Sequence, residues 1–227
     1  MSGPEAPGPT RRRGGRGREV RPLTLDRLAD LPEPCATCGF WETSGARIAG
    51  TPAVETKRAW LGATALDWGA PGRVCYVDGQ PAGYLTFAPA GFVPRGLAFP
   101  TSPVASDALV LLTARVRPEY AGQGLGRMLV QTAAKDALRR GHRALEAFAT
   151  TSGTGCLLPA DFLAAVGFAT VRDHPAYPRM RLDLGGTRSW LTEMETAVER
   201  LLAPVRDFGR GRPVGSAPRE VSQPDRP

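Results

Sequence analysis

The sequence predicts an α/β protein with a mixed sheet flanked by helices, and three observations carry that reading. Short apolar runs of strand character alternate with segments of helical spacing along most of the chain. Asp78-Gly79 stands between two such runs, the signature of a tight antiparallel hairpin. The stretch from Arg117 to Arg127 joins an apolar run to a helical pattern through glycines at 122, 124 and 126, giving strand, glycine-rich turn and helix in that order.

Taken along the chain, Leu23 to Leu31 reads as a short helix stopped by Pro32. Lys57 to Trp68 reads as a helix with Leu61, Ala65 and Trp68 at spacing for burial. Arg73 to Val77 and Ala82 to Ala88 are the two strands of the Asp78-Gly79 hairpin. Pro- and Gly-rich sequence follows from 89 to 106, and Leu109 to Val116 is the next strand. Leu125 to Arg140 has apolar residues at 125, 128, 129, 133 and 137, and Gly141 is a natural stop with Arg139 and Arg140 in the last turn. Ala144 to Ala149 fits a strand, Asp161 to Val166 a short helix closed by Gly167-Phe168. Ala169 to Arg172 and Met180 to Leu184 are two late strands, and Trp190 to Leu202 a last amphipathic helix.

A turn of this kind leaves backbone N–H groups pointing outward at a helix N-terminus, where the dipole favours negative charge. It is therefore a candidate phosphate site. A Walker A loop would need Lys and Ser/Thr after the last glycine, and neither follows Gly126. A dinucleotide fingerprint needs a G-x-G-x-x-G spacing after a first strand, which Gly122, Gly124 and Gly126 do not give.

Ala121-Gly122-Gln123-Gly124-Leu125-Gly126 resembles motif A of the GNAT superfamily of N-acetyltransferases, a Gln/Arg-x-x-Gly-x-Gly/Ala turn that binds the pyrophosphate of acetyl-CoA. Both glycines are present, and Ala121 replaces the leading Gln/Arg. The element order is similar to the family's from roughly residue 50 to residue 185. The resemblance implies a centrally splayed sheet, with acetyl-CoA as co-substrate and an amine as acceptor. It implies a cofactor site at Ala114, Val116, Gly122, Gln123, Gly124, Leu125, Gly126 and Arg127. The resulting division is a tail at 1–22, an N-terminal extension at 23–50, an acetyltransferase domain with a C-terminal helix at 51–204, and a tail at 205–227. A homodimer is left open.

Many family members carry a Tyr four residues before the late Gly-Phe, where it protonates the departing thiolate. Here that position is Leu163, which transfers no proton. Cys156, Tyr177, water, or unassisted departure of a thiolate are the alternatives. The acceptor amine has to lose a proton before it attacks, so a base or a pKa-lowering site is needed. The candidates are Glu146, on a strand near the site, and Asp173 and His174 in the proline-stiffened Arg172–Pro178 loop, none with a spacing that singles it out as the base; Glu119 should face solvent.

The cysteines are 35, 38, 75 and 156. Cys35-x-x-Cys38 alone is half a zinc site or a redox pair, and no second paired spacing accompanies it. Two packed thiols beside Phe40 and Trp41 is the simpler reading, and no metal is expected. The element loosely resembles N-terminal elements of some acetyltransferases of high-GC bacteria.

The chain has 227 residues and a net charge of +7, with +4 in residues 1–22, +2 in residues 205–227 and only +1 between them. Basicity therefore belongs to Gly-, Pro- and Arg-rich ends that should be disordered. Nucleic acid is not expected as a partner except through those ends. No run is long enough for a membrane span and residue 1 onward has no apolar leader, so a cytoplasmic location is expected. Two other classes are carried beside the enzyme: a non-catalytic acyl-CoA-binding regulatory module, and a nucleic-acid-associated protein acting through its Arg-rich tails.

Overall fold

The computed structural model describes residues 17–44, 52–152 and 155–185. Eight strands form one mixed sheet: β1 Arg18–Pro22, β2 Gly72–Val77, β3 Gln80–Ala88, β4 Ala108–Val116, β5 Ala144–Thr150, β6 Leu158–Pro159, β7 Ala169–Arg172 and β8 Arg179–Asp183. Three helices accompany them: α1 Ala53–Asp67, α2 Leu125–Arg139 and α3 Ala160–Ala165. The path across the sheet is β1-β2-β3-β4-β5-β8-β7, with β6 paired to β5 off that path. The helix expected at Trp190 to Leu202 lies outside the described residues.

Alternation decides which side chains meet which layer. Leu109 and Leu111 of β4, with Leu145, Ala147 and Ala149 of β5, pack with Met128, Leu129 and Ala133 of α2 on one face. Val110, Leu112 and Phe148 point the other way and pack with Trp41 and Val93. β3 to β5 are thus covered on both faces, which is why they read as near-continuous apolar runs. A third cluster joins Leu23, Leu28, Leu31 and Leu61 to Val74, Tyr76 and Tyr84.

The apolar stripe expected on α2 is buried at 125, 128, 129, 133 and 137. Gly141 follows it at φ +81°. The hairpin turn takes positive φ at both central residues, Asp78 and Gly79, as a right-twisted hairpin requires. On α1 the stripe is shifted: Lys57, Leu61 and Thr64 are buried, whereas Ala65 is exposed. The reason is an ion pair, since Lys57 Nζ lies 2.6 Å from Glu42 Oε1. A charge so matched can occupy an inward position.

Two features differ from the domain division expected above. Arg18–Pro22, read as the end of a disordered tail, forms the edge strand β1, antiparallel to β2. Its support comes from non-local pairing, which composition does not reveal. The segment read as an extension preceding the domain is built into it: Leu23, Leu28 and Trp41 are buried, and Trp41 Nε1 donates to Thr113 Oγ1 on β4 at 3.0 Å. No helix among the described residues is long and apolar enough to cross a membrane.

Candidate functional site

The site begins where β4 and β5 part. Their parallel pairing covers only Ala108, Leu109 and Val110 against Ala144, Leu145 and Glu146. Beyond that seam β4 continues to Val116 on its β3 neighbour alone, with a register shift opposite Thr86/Phe87. β5 takes a different partner, Leu158 and Pro159 of β6. The sheet is therefore splayed, and the main-chain groups of β4 after Val110 face a gap in place of a strand.

The glycine-rich turn closes one end of that gap. Gly122 and Gly124 take φ +73° and +78°, and Gly124 is the N-cap of α2. Side chains disfavour such left-handed backbone by about 1–2 kcal/mol. A Cβ at Gly122 would meet nothing within 4 Å, so the main chain there is open to an approaching group. No side chain caps the first turn of α2, which leaves its N-terminal amides for a ligand. A cavity of about 490 Å³ lies over the turn, lined among others by Ala114, Val116, Gly122, Gly124, Gly126 and Phe162. Its walls are mostly apolar side chains, with Arg127 as the cation. Arg127 Nη2 also donates to the Ala165 carbonyl at 2.7 Å, tying α2 to α3. An elongated thiol ester with an anionic end fits this arrangement: apolar walls for the arm, amides and a guanidinium for the phosphates.

Of the eight positions expected for the cofactor, Ala114, Val116, Gly122, Gly124, Leu125, Gly126 and Arg127 line the cavity. Gln123 is exposed and is not among its lining residues. Tyr120, Leu158, Pro159 and Phe162 also line it. Only the position of α3 and β6 against β5 places the last three, and no local pattern announces them.

A second cavity of about 330 Å³ lies on the other side of the segment leading into β6, since Leu157 lines it while Leu158 lines the first. Phe40, Phe99 and Tyr177 supply aromatic walls, Arg95 a cation and Cys156 a thiol. Phe99 stacks on Phe148 at 4.5 Å between ring centroids and meets Tyr177 edge-on at 5.8 Å. The Arg95 guanidinium lies over the Phe40 ring, 4.4 Å from its centroid. Phe40, Arg95 and Phe99 are lining residues that the sequence did not announce, because they sit in segments without periodicity.

The four catalytic candidates separate clearly. Glu146 is held by arginines of β8. It is buried, with Oε1 at 3.1 Å from Arg181 Nη1. Arg179 Nη1 lies 3.2 Å from its Oε2, an ion-pair contact without hydrogen-bond alignment. It is level with Val110, four residues and so roughly 13 Å along the strand from Ala114. His174 braces its own loop. Its Nδ1 accepts from the N–H groups of Ala176 at 3.1 Å and Tyr177 at 3.0 Å, which puts the ring proton on Nε2 and leaves no free lone pair. The ring stacks on Tyr177, 5.8 Å between centroids, so it positions that phenol. Tyr177 and Cys156 both line the second cavity. Glu119 is exposed as expected, and Leu163 is fully buried in the core.

The Cys35-x-x-Cys38 pair does not act as a pair. Cys35 is buried in the cluster that holds Tyr84, whose phenol is pushed up mainly by burial and also by Cys35. Cys38 Sγ instead lies 3.4 Å from Cys156 Sγ. The hydrogen bond shared with Cys156 is the largest cause lowering the Cys38 pKa, and the same bond, with burial, raises that of Cys156. Cys75 is pushed up to about 11 by burial, which makes it an inert core thiol. No group of three or more His, Cys, Asp or Glu among the described residues suits a metal ion.

A splayed α/β sheet with open amides at the turn heading its gap defines the class: an α/β protein whose β4–β5 gap suits an elongated ligand with an anionic end. Residues 26–155, more than half of the chain, match the model of the Acetyltransferase (GNAT) family, and the chain belongs to that family. Solved structures resemble it in fold. The N-acetyltransferase of Staphylococcus aureus Mu50 is 16% identical, with 74% of this chain and 98% of that one covered at a TM-score of 0.50. The paia N-acetyltransferase of Thermoplasma acidophilum in complex with coenzyme A is 14% identical, over 73% and 98%, at 0.48. A GNAT family acetyltransferase of Brucella melitensis in complex with acetyl-CoA is 18% identical, over 75% and 90%, at 0.44. No curated protein sequence matches the chain.

Proposed function

We propose that the chain transfers the acetyl group of acetyl-CoA to a primary amine. The observation that carries this reading is the left-handed Gly122–Gly124 turn at the head of α2, opening on the cavity between the splayed strands. The first turn of α2 and Arg127 would hold the pyrophosphate, while Ala114, Val116, Leu158 and Phe162 would flank the pantetheine arm. Main-chain groups of β4 beyond the seam are placed to orient the thioester carbonyl and to stabilise the oxyanion formed on attack. The amine adds to that carbonyl, the C–N bond forms and the C–S bond breaks. The departing thiolate belongs to a thiol of pKa about 8.5, a tolerable leaving group without the family's Tyr.

The second cavity is the acceptor's entrance. Among the described residues its lining includes three aromatic rings and Arg95 but no carboxylate. It suits an amine on a flat apolar or anionic body, and its described lining has no carboxylate to pair with the extra ammonium groups of a polyamine. Tyr177 and Cys156 are the two groups there that can accept or return a proton.

Calorimetric titration with acetyl-CoA, followed by thiol release with a panel of amines, tests the reading. Gly124→Asn, which tolerates left-handed backbone, should bind acetyl-CoA. Gly124→Glu sets a carboxylate against the phosphates and should lose binding while its circular dichroism stays unchanged. Equal affinity in the Glu variant would remove the central claim.

A further inference from the structure

Cys38 and Cys156 are separated by 118 positions, yet their sulfurs lie 3.4 Å apart. Neither is carried there by accident of a mobile side chain alone. Cys38 sits in the loop fixed by buried Trp41, whose indole N–H donates to Thr113 Oγ1. Cys156 immediately precedes the strand segment leading into β6, and its carbonyl accepts from that same Thr113 hydroxyl at 3.2 Å. One β4 side chain thus registers both cysteine segments. Both thiols are half-buried, so a small solute can reach them. A disulfide needs a sulfur separation of about 2.05 Å, so the gap closes through a side-chain shift of little more than an ångström. Cys35, the sequence neighbour that would compete for Cys38, is buried.

We propose that Cys38 and Cys156 form a reversible dithiol site, and that its oxidation by a peroxide reshapes the acceptor cavity. The Cys38 thiolate attacks one peroxide oxygen, the O–O bond breaks, and Cys38 becomes a sulfenic acid while hydroxide leaves. The Cys156 sulfur then attacks that sulfur, the S–S bond forms, and the sulfenic oxygen departs as water with the Cys156 proton. Two electrons pass from the thiols to the peroxide, which ends as two waters. Thiol–disulfide exchange with a dithiol reverses the change. Because Cys156 lines the second cavity and adjoins Leu157 and Leu158, which divide it from the first, the crosslink draws the shared wall toward Cys38. The effect on transfer rests on the acceptor reading above; the thiol chemistry does not.

The test uses the full chain, reduced and then treated with hydrogen peroxide. Alkylation in denaturant should find two of its four cysteines protected, at a mass about 2 Da lower before alkylation. Peptide mapping should join the segments of Cys38 and Cys156. Cys38→Ser and Cys156→Ser should each abolish the crosslink, and Cys35→Ser should keep it. Oxidised protein should bind acetyl-CoA as the reduced form does, lose at least about tenfold in transfer to an amine, and recover with dithiothreitol. No protected thiols, or a Cys35–Cys38 crosslink, would overturn the site. A Cys38–Cys156 crosslink with undiminished transfer would overturn its effect on the cavity. Normal crosslinking in a chain that acetylates no amine supports the site and strikes the proposed function instead.

Discussion

Replacing Gly126 by alanine asks whether the cavity over the β4–α2 turn is where the thioester lies. Gly126 is the second residue of α2, and alanine is favoured over glycine in a helix by up to about 1 kcal/mol. The added Cβ would stand 3.1 Å from Phe162 Cε2 and 3.3 Å from Cζ. Carbon contacts settle at about 3.5–4.0 Å, so the ring has to retreat by roughly half an ångström. Phe162 is half-buried and lines the cavity, so it can yield into open volume and leave the core undisturbed. Most of the helix gain then survives, and Tm should hold or rise by up to about 2–4 °C. The same displacement narrows the space beside the main chain that the phosphates must approach. We expect acetyl-CoA affinity to fall about tenfold, or about 1.4 kcal/mol. Calorimetry and a thermal melt on the same preparation read both quantities. Unchanged affinity together with a lower Tm would refute the reasoning, because it would mean that the ring is held by the core and that the ligand lies elsewhere.

Two further outcomes follow from the ion pairs. Glu146→Gln removes the buried partner of Arg179 and Arg181 and should cost about 3 kcal/mol. It should lower Tm by roughly 6–12 °C with acetyl-CoA affinity intact; a lost limb in the pH–rate profile at unchanged Tm would restore Glu146 as a base. Acid should weaken the fold in two steps. Burial, with Arg140 nearby, holds the His142 pKa below its ordinary 6.5, and the Arg181 hydrogen bond holds Asp107 below 3.8. In both cases the unfolded chain binds more protons, so stability rises with pH. The His142 contribution is full above about 6.5 and the Asp107 contribution above about 3.8, each lost as pH falls below its value. Urea midpoints that climb between pH 7 and pH 4 would contradict this.

What the sequence reveals is what local chemistry dictates. The glycine turn is legible because left-handed backbone selects glycine at 122 and 124, and the stripe of α2 because its spacing repeats within one helix. Hairpin residues 78 and 79 announce themselves for the same reason. By contrast, β1 contains a single valine among charged residues and exists through its register with β2. Glu146 sits in a strand that reads equally well as site or structure, and only its contact with arginines on β8 decides between them. Cys38 looks paired with Cys35 because spacing along the chain is all that a sequence offers. The walls of the second cavity come from segments around 40, 95–100, 155–157 and 177, whose meeting is a property of the assembled sheet.

The short seam between β4 and β5 gives the molecule a mechanical character. On one side β1 to β4 form an antiparallel leaf, and on the other β5, β8 and β7 form a second. Three residue pairs bind the leaves directly, and α2 lies across both like the spine of a book. A molecule held in the gap touches Ala114 and Val116 on the first leaf and Leu158 and Pro159 on the second. Such a ligand would act as a clasp, tying the two leaves together at the end where strand pairing does not.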